Sequence, residues 1–136
     1  LSTKVARALQ PAQVPHEDAV FNVSRSALLI AALTQSPELL LVATEDRLHQ
    51  DYRAQAMLET AAVVRALRAE GFAAVVSGAG PSVLVLCDGP GRRHEAAAVV
   101  ERVADTPWQT LMPAVDVKGA TVKSPEGSTT SRILGR

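Results

Sequence analysis

The first half of the chain has the pattern of helices, because apolar residues recur there at three- and four-residue steps. Capping residues stand at the expected starts, and prolines or a glycine stand at the expected ends. Four helices are predicted: one from Ser2 or Thr3 through Leu9, one starting near Asp18 with Val20, Val23, Ala27, Ile30 and Ala31 on one face, one from Pro37 to about Thr44, and one with Met57, Ala61, Val64 and Leu67 on its inner face.

The pattern then changes to short apolar runs at 72–77 and 82–87, which a glycine-containing turn joins. A further helix is predicted after Gly91, with Ala96, Val99, Val100 and Val103 on one side. Two weaker strand candidates lie at 108–112 and 115–122, where Pro113 and Gly119 interrupt the pattern.

Helix-rich and strand-rich stretches are thus partly segregated, which predicts an α+β fold, a two-layer sandwich of helices on a small, mostly antiparallel sheet. The predicted domain covers residues 1–123. Residues 124–136 have no apolar face to bury, and we expect them to form a flexible tail.

Composition narrows the classes of function. With 14 basic and 14 acidic residues, the chain has no net charge to attract nucleic acid or an anionic membrane. No apolar run approaches the roughly 20 residues that span a bilayer. Cys87 is the single cysteine, which excludes an intrachain disulfide and suits a reducing compartment. We therefore expect a cytoplasmic protein and interpret Cys87 as a buried strand residue.

The turn between the two apolar runs is the first candidate for chemistry. Its glycines allow positive φ and let backbone amides approach an anion. A hairpin turn needs glycine for conformational reasons alone, however, and the turn matches neither the phosphate-loop pattern nor the dinucleotide-binding pattern. From the residues, both interpretations stand. The turn consists of Ser77, Gly78, Ala79, Gly80, Pro81 and Ser82.

Arg7 and Arg53 are the second candidate, since each lies in a short polar motif beside apolar segments. The planar guanidinium suits a carboxylate or a phosphate, although from the spacing alone surface ion pairs are the favoured interpretation. The three histidines are far apart, with no spacing typical of a metal site. No serine has the surroundings of a catalytic nucleophile. The carboxylates of Glu45, Asp46 and Asp51 lie among arginines, so we expect mutual neutralisation there. No catalytic residue and no metal ligand is predicted.

Four segments, taken together in their order and spacing, resemble the homoserine kinases, which belong to the superfamily of galactokinase, homoserine kinase, mevalonate kinase and phosphomevalonate kinase (GHMP kinases). The segments are LSTKVARALQP at 1–11, DAVFN at 18–22, DRLHQDYR at 46–53 and SGAGPS at 77–82. The last is shared across the superfamily, whereas the third points to the homoserine branch. Gln10, where leucine is common in the family, is a mild departure.

The resemblance implies the ferredoxin-like C-terminal domain of an enzyme that transfers the γ-phosphate of Mg-ATP to the hydroxyl of L-homoserine, within threonine biosynthesis. By similarity, Arg7 and Arg53 would hold the substrate carboxylate, Thr3 would lie near the transferred phosphate, and the turn at 77–82 would support the phosphate loop. That loop, a Pro-x-x-x-Gly-Leu-Gly-Ser-Ser-like segment, does not occur in the 136 residues, nor do the expected magnesium ligands.

We therefore expect this chain to be the C-terminal lobe of a longer enzyme, inactive by itself and without tight binding of ATP or Mg²⁺. Its expected partners are the N-terminal lobe, ATP and L-homoserine, and a homo-oligomer is compatible with the resemblance. Two alternatives stay open: a lobe of another GHMP kinase acting on a mevalonate or a sugar, and a non-catalytic amino-acid-binding module.

Overall fold

The computed structural model describes residues 2–123 and 129–130. As far as residue 103 its helices and strands follow the predicted order, with one short helix added at Gln50–Ala54. Along the chain they are α1 (Thr3–Ala8), α2 (His16–Thr34), a 3-10 turn (Pro37–Leu39), α3 (Leu40–Ala43), α4 (Gln50–Ala54), α5 (Leu58–Ala69), β1 (Ala73–Val76), β2 (Val83–Leu86), α6 (Pro90–Val103), β3 (Val122–Lys123) and β4 (Thr129–Thr130).

Local sequence signals explain where these helices begin. The Ser2 hydroxyl caps α1 by accepting a hydrogen bond from the Val5 amide at 3.3 Å. Helix α2 begins two residues before Asp18, and Asp18 lies in its first turn, where its negative charge interacts favourably with the positive end of the helix dipole. The predicted helix 37–44 consists of the 3-10 turn followed by α3.

The core lies between α5, α6 and the first sheet. Val63 and Leu67 of α5 are completely buried, and Phe72, Ala96 and Val99 complete the cluster with Ala74. The predicted inner face of α5 is confirmed, since Met57, Val64 and Leu67 are buried and Ala61 is half-buried. Helices packed against an antiparallel sheet confirm the α+β prediction.

Helix α2 presents its apolar stripe to solvent. Val20, Val23 and Ile30 are 55%, 71% and 65% exposed, whereas Asn22 and Arg25 on another face are half-buried. The stripe correctly indicated a helix. The polar face lies against the protein because its side chains have hydrogen-bond partners in the segment after α3.

Strands β1 and β2 form an antiparallel hairpin in which Ala73 pairs with Leu86 and Val76 with Val83. Each strand also has an outer backbone edge that does not face the other strand, and the two outer edges differ in their hydrogen-bond partners. On the outer edge of β1, the Gln50 side-chain oxygen accepts from the Val76 amide at 2.7 Å, and Arg68 donates to the Ala74 carbonyl at 3.2 Å. Side chains therefore cover the β1 edge.

The strand candidates after α6 were mostly wrong. Residues 108–112 form no strand among the described residues, and of 115–122 only Val122 lies in a strand, in the small β3–β4 pair. The expected tail at 124–136 lies outside the described residues except for β4.

Candidate functional site

The turn at 77–82 closes the β1–β2 hairpin. The Ser77 amide donates to the Ser82 carbonyl at 2.8 Å, and the Gly80 amide donates to the Ser77 carbonyl at 3.0 Å. Gly78 and Gly80 have φ of 59° and 80°, the left-handed region that favours glycine, and the Gly80–Pro81 peptide bond is cis. The turn is therefore a defined, internally bonded structure.

Helix α5 and the residue before it contact this turn. The Thr60 hydroxyl, which is buried, donates to the Pro81 carbonyl at 3.1 Å. A Cβ at Gly80 would lie 2.8 Å from the Met57 sulfur and 3.2 Å from Cγ1 of Val76, so a side chain there would displace the end of the Met57 side chain. The corresponding point at Gly78 has no neighbour within 4 Å.

Two of the five backbone amides of the turn are used inside it, and three are not. The Ser77 and Gly80 amides donate within the turn, and Pro81 has none. Those of Gly78, Ala79 and Ser82 have no backbone acceptor among the described residues. Support of a phosphate loop by the turn stays a prediction.

Arg53, on α4, is fixed against this turn. Its Nε donates to the His49 carbonyl at 3.1 Å and its Nη1 donates to the Gly78 carbonyl at 2.8 Å. Nη2 has no hydrogen-bond partner in the part of the chain that the structure describes. Two of the five N–H groups therefore orient the guanidinium, and both N–H groups of Nη2 stay available for a carboxylate or phosphate oxygen.

Gln10, two residues after the end of α1, reaches the same segment, because its Nε2 donates to the His49 carbonyl at 3.5 Å. Arg7 lies in the last turn of α1, exposed, with no ion pair to a described residue. Thr3 lies four residues earlier, on the same face and about 6 Å away along the helix axis. The structure thus brings Arg53 and the turn into contact, and of the α1 region only Gln10 is bonded to the same segment. The roles of Thr3 and Arg7 stay predictions.

Asp46 organises the segment that carries Arg53. Its carboxylate accepts from the backbone amides of Leu48, His49 and Gln50 at 2.7–3.2 Å, and from the Asn22 side chain at 2.8 Å. Burial raises the pKa of Asp46, but these hydrogen bonds, led by that from Gln50, outweigh it and hold the pKa below its usual value. A charged Asp46 therefore fixes the start of α4.

Charged residues around Asp46 have partners elsewhere in the chain. Arg25 pairs with Glu45 at 2.8 Å and Arg47 with Asp18 at 3.3 Å. The two guanidinium groups also cover the Phe21 ring, at 4.1 and 3.8 Å from its centroid. Neutralisation within the 45–53 segment was therefore the wrong expectation, because α2 supplies the partners.

Sequence reasoning missed two supporting side chains. Asn22 uses both ends of its amide, donating to Asp46 and accepting from the Arg47 amide at 2.9 Å. Gln50 covers the β1 edge. The polar residues on α2 were a usable signal for the first. The bond to Gln50 joins residues that are 26 positions apart, so no local sequence pattern indicates it.

Among residues 2–123 and 129–130, no three histidine, cysteine, aspartate or glutamate side chains are arranged to hold a metal ion. No described helix combines the length and apolar character needed to cross a membrane.

Comparisons with known proteins found a matching family model and several similar proteins. A family model described as GHMP kinases C terminal matches residues 25–106. The homoserine kinase of Clavibacter michiganensis subsp. michiganensis is 68% identical over 123 residues, which cover 90% of this chain and 39% of that protein. That of Leifsonia xyli subsp. xyli is 64% identical over 138 residues, covering 96% and 43%.

The crystal structure of homoserine kinase from Cytophaga hutchinsonii superimposes with a TM-score of 0.63 at 25% identity, covering 76% of this chain and 32% of that one. The chain spans about two fifths of the length of the first two curated relatives, at 39% and 43%.

Proposed function

This chain belongs to the family of GHMP kinase C-terminal domains, and on that premise we propose that it is the substrate-binding lobe of a homoserine kinase. The complete enzyme would transfer the γ-phosphate of ATP to the hydroxyl of L-homoserine, a step of threonine biosynthesis. Identities of 68% and 64% to proteins named homoserine kinase support this substrate over a mevalonate or a sugar. The single cysteine supports a cytoplasmic location.

The observation that carries the proposal is the position of Arg53. Its bonds to His49 and Gly78 hold one edge of the guanidinium, and Nη2 is left for the substrate. Homoserine differs from a mevalonate or sugar alcohol by its α-amino acid group, whose carboxylate a guanidinium binds well. Arg7 would supply the second cation from α1, and Thr3 on the same helix face would lie toward the transferred phosphate.

In this division of labour the chain orients the substrate and does not hold the nucleotide. Phosphoryl transfer depends mainly on positioning and on stabilising developing charge, so an orienting lobe affects rate without containing a base. ATP and Mg²⁺ belong to the complete enzyme, and no step involving them is assigned to these residues. We propose that the chain alone does not turn over.

The test uses a chimera in which this chain replaces the matching part of the Clavibacter homoserine kinase. Homoserine-dependent ADP release is measured for the chimera and for its Arg53→Ala and Arg65→Ala variants. Loss of a charged hydrogen-bond pair costs about 1.5–3 kcal/mol, so the KM for homoserine should rise roughly 10- to 100-fold in Arg53→Ala. Arg65 is exposed on α5 and serves as the matched control.

Two results would contradict the proposal. One is an unchanged KM in Arg53→Ala while the chimera is active. The other is ADP release by the 136-residue chain alone, which would place the nucleotide site within it.

A further inference from the structure

A single peptide unit joins Asp46 to Arg53. The His49 carbonyl accepts from Nε of Arg53 at 3.1 Å, and the Gln50 amide donates to Oδ2 of Asp46 at 2.7 Å. This carbonyl and this amide belong to the same planar, trans peptide group, so they point in opposite directions. Whatever holds the Gln50 amide therefore also sets the direction of the His49 carbonyl.

Asp46 holds this amide where the usual helix cap is absent. His49 stands at the N-cap position of α4, but its side chain makes no capping bond. Oδ2 of Asp46 accepts from the amides of His49 and Gln50, at 2.9 and 2.7 Å, which a helix start leaves without intrahelical partners. A carboxylate is a stronger acceptor than a neutral group, and it polarises the peptide unit, which makes the carbonyl at the other end a better acceptor for Arg53.

The second acceptor of Arg53 is held relative to the same peptide unit. Nη1 of Arg53 donates to the carbonyl of Gly78, which lies two residues beyond the end of β1. The side-chain oxygen of Gln50 accepts from the amide of Val76, the last residue of β1, at 2.7 Å. Gln50 thus joins the peptide unit to the strand that leads into the turn. The two carbonyls that orient the guanidinium therefore keep a fixed relative position, and Nη2 keeps one direction.

We propose that Asp46 is a positioning residue for substrate binding, which acts through the His49–Gln50 peptide unit to orient Arg53. The inference rests on the proposed function, in which Arg53 binds the homoserine carboxylate. Among the described residues Arg53 is bonded to His49 and Gly78 and not to Asp46, so the contribution of Asp46 is geometric. By charge alone Asp46 would act in the opposite sense, because a negative charge in this segment repels a carboxylate. Positioning and electrostatics therefore predict opposite signs for the effect of removing the charge.

The test compares Asp46→Asn with Glu45→Gln in the Clavibacter chimera. Asparagine keeps the size of the side chain but turns one acceptor oxygen into a donor, so the peptide unit is held less well. The KM for homoserine should rise about 3- to 10-fold, less than in Arg53→Ala, because the guanidinium is misdirected and not removed. Glu45→Gln removes the same charge one residue earlier, where the carboxylate pairs with Arg25 of α2, and should change the KM less than about twofold. A purely structural role of Asp46 would lower the amount of active enzyme at an unchanged KM, and that result would overturn the proposal.

Combined substitutions test whether the effect passes through Arg53. In the Arg53→Ala background, Asp46→Asn should change the KM for homoserine less than about twofold, because the group that it orients is gone. An undiminished effect in that background would overturn the proposal. If Arg53→Ala raises the KM and Asp46→Asn does not, this inference alone fails. An unchanged KM in Arg53→Ala refutes the proposed function together with this inference, so the two failures are distinguishable.

Proton exchange at Nε of Arg53, followed by NMR in the same chimera, gives a second measurement that needs no substrate. The bond from Nε to the His49 carbonyl slows this exchange. The rate should increase at least about fivefold in Asp46→Asn and less than about twofold in Glu45→Gln. An unchanged rate in Asp46→Asn would show that Asp46 does not hold the peptide unit, and it would refute the proposal whether or not the chimera phosphorylates homoserine.

Discussion

Replacing Asp46 by alanine should destabilise the chain more than any exposed carboxylate does. The substitution removes the acceptor for the amides of Leu48, His49 and Gln50 and for the Asn22 side chain. The His49 amide is exposed and regains water, whereas those of Leu48 and Gln50 are partly buried. The loss of stability is therefore smaller than the summed free energies of these four hydrogen bonds.

The magnitude follows from these environments. Hydrogen bonds to charged groups contribute about 1.5–3 kcal/mol each, and replacement of a helix-capping acid by alanine costs about 0.5–2 kcal/mol. With solvent screening at this half-exposed site, we expect the free energy of unfolding to fall by about 2–3 kcal/mol. For a chain of this size the Tm should fall by roughly 6–12 °C.

The same effect should depend on pH. The folded-state pKa of Asp46 lies below its usual value, so its stabilisation is fully present above the unfolded-state pKa, about 3.9, and disappears as the pH falls through the lower folded-state pKa. The difference between wild type and Asp46→Ala should be constant near neutral pH and should narrow below about pH 4.

Urea unfolding followed by circular dichroism at pH 7 and at pH 3 measures both effects. Asp88→Ala is the control, because Asp88 is exposed and has no side-chain partner among the described residues; its change should stay within about 0.5 kcal/mol. Asp46→Asn keeps an acceptor oxygen and should lose less than the alanine variant. A loss below about 0.5 kcal/mol for Asp46→Ala, or an equal loss at both pH values, would refute the reasoning.

Two further substitutions test the packing of the site. Gly80→Ala should cost about 1–2 kcal/mol more than Gly78→Ala in urea unfolding, because both glycines have positive φ but only Gly80 has side chains in the way; equal costs would exclude the overlap. Arg68→Ala should cost about 2–4 kcal/mol, since this half-buried guanidinium donates to carbonyls of α3 and β1, whereas Arg65→Ala should cost less than about 0.5 kcal/mol; similar thermal midpoints for the two variants would contradict this.

The core was predictable where the signal is local. Buried residues of α5 recur at helical spacing, and Leu67 and Val64 lie where that spacing places them. The orientation of α2 could not be predicted from the sequence. Its stripe of Val20, Val23 and Ile30 indicates a helix but does not indicate which side contacts the protein. That side depends on residues 20 or more positions away, such as Glu45 for Arg25.

For the candidate site, residue type alone selected Arg53 as a group suited to anions. Its orientation depends on the Gly78 carbonyl, 25 residues along the chain, and no pattern in the sequence predicts that bond. The segment 108–112 shows the same limit. Its residues suit a strand, but a strand forms only with a partner, and pairing joins parts of a chain that sequence spacing does not relate.

Gln50 and Arg68 also determine how this domain can be elaborated. Because both side chains bind the outer edge of β1, a strand added there would have to displace them and leave a guanidinium without its carbonyl partner. Engineered extensions or fused binding strands should therefore be directed to the β2 side. Within the described β1–β2 sheet, Gln50 of α4 and Arg68 of α5 thus close the β1 edge and leave β2 as the strand that can be extended.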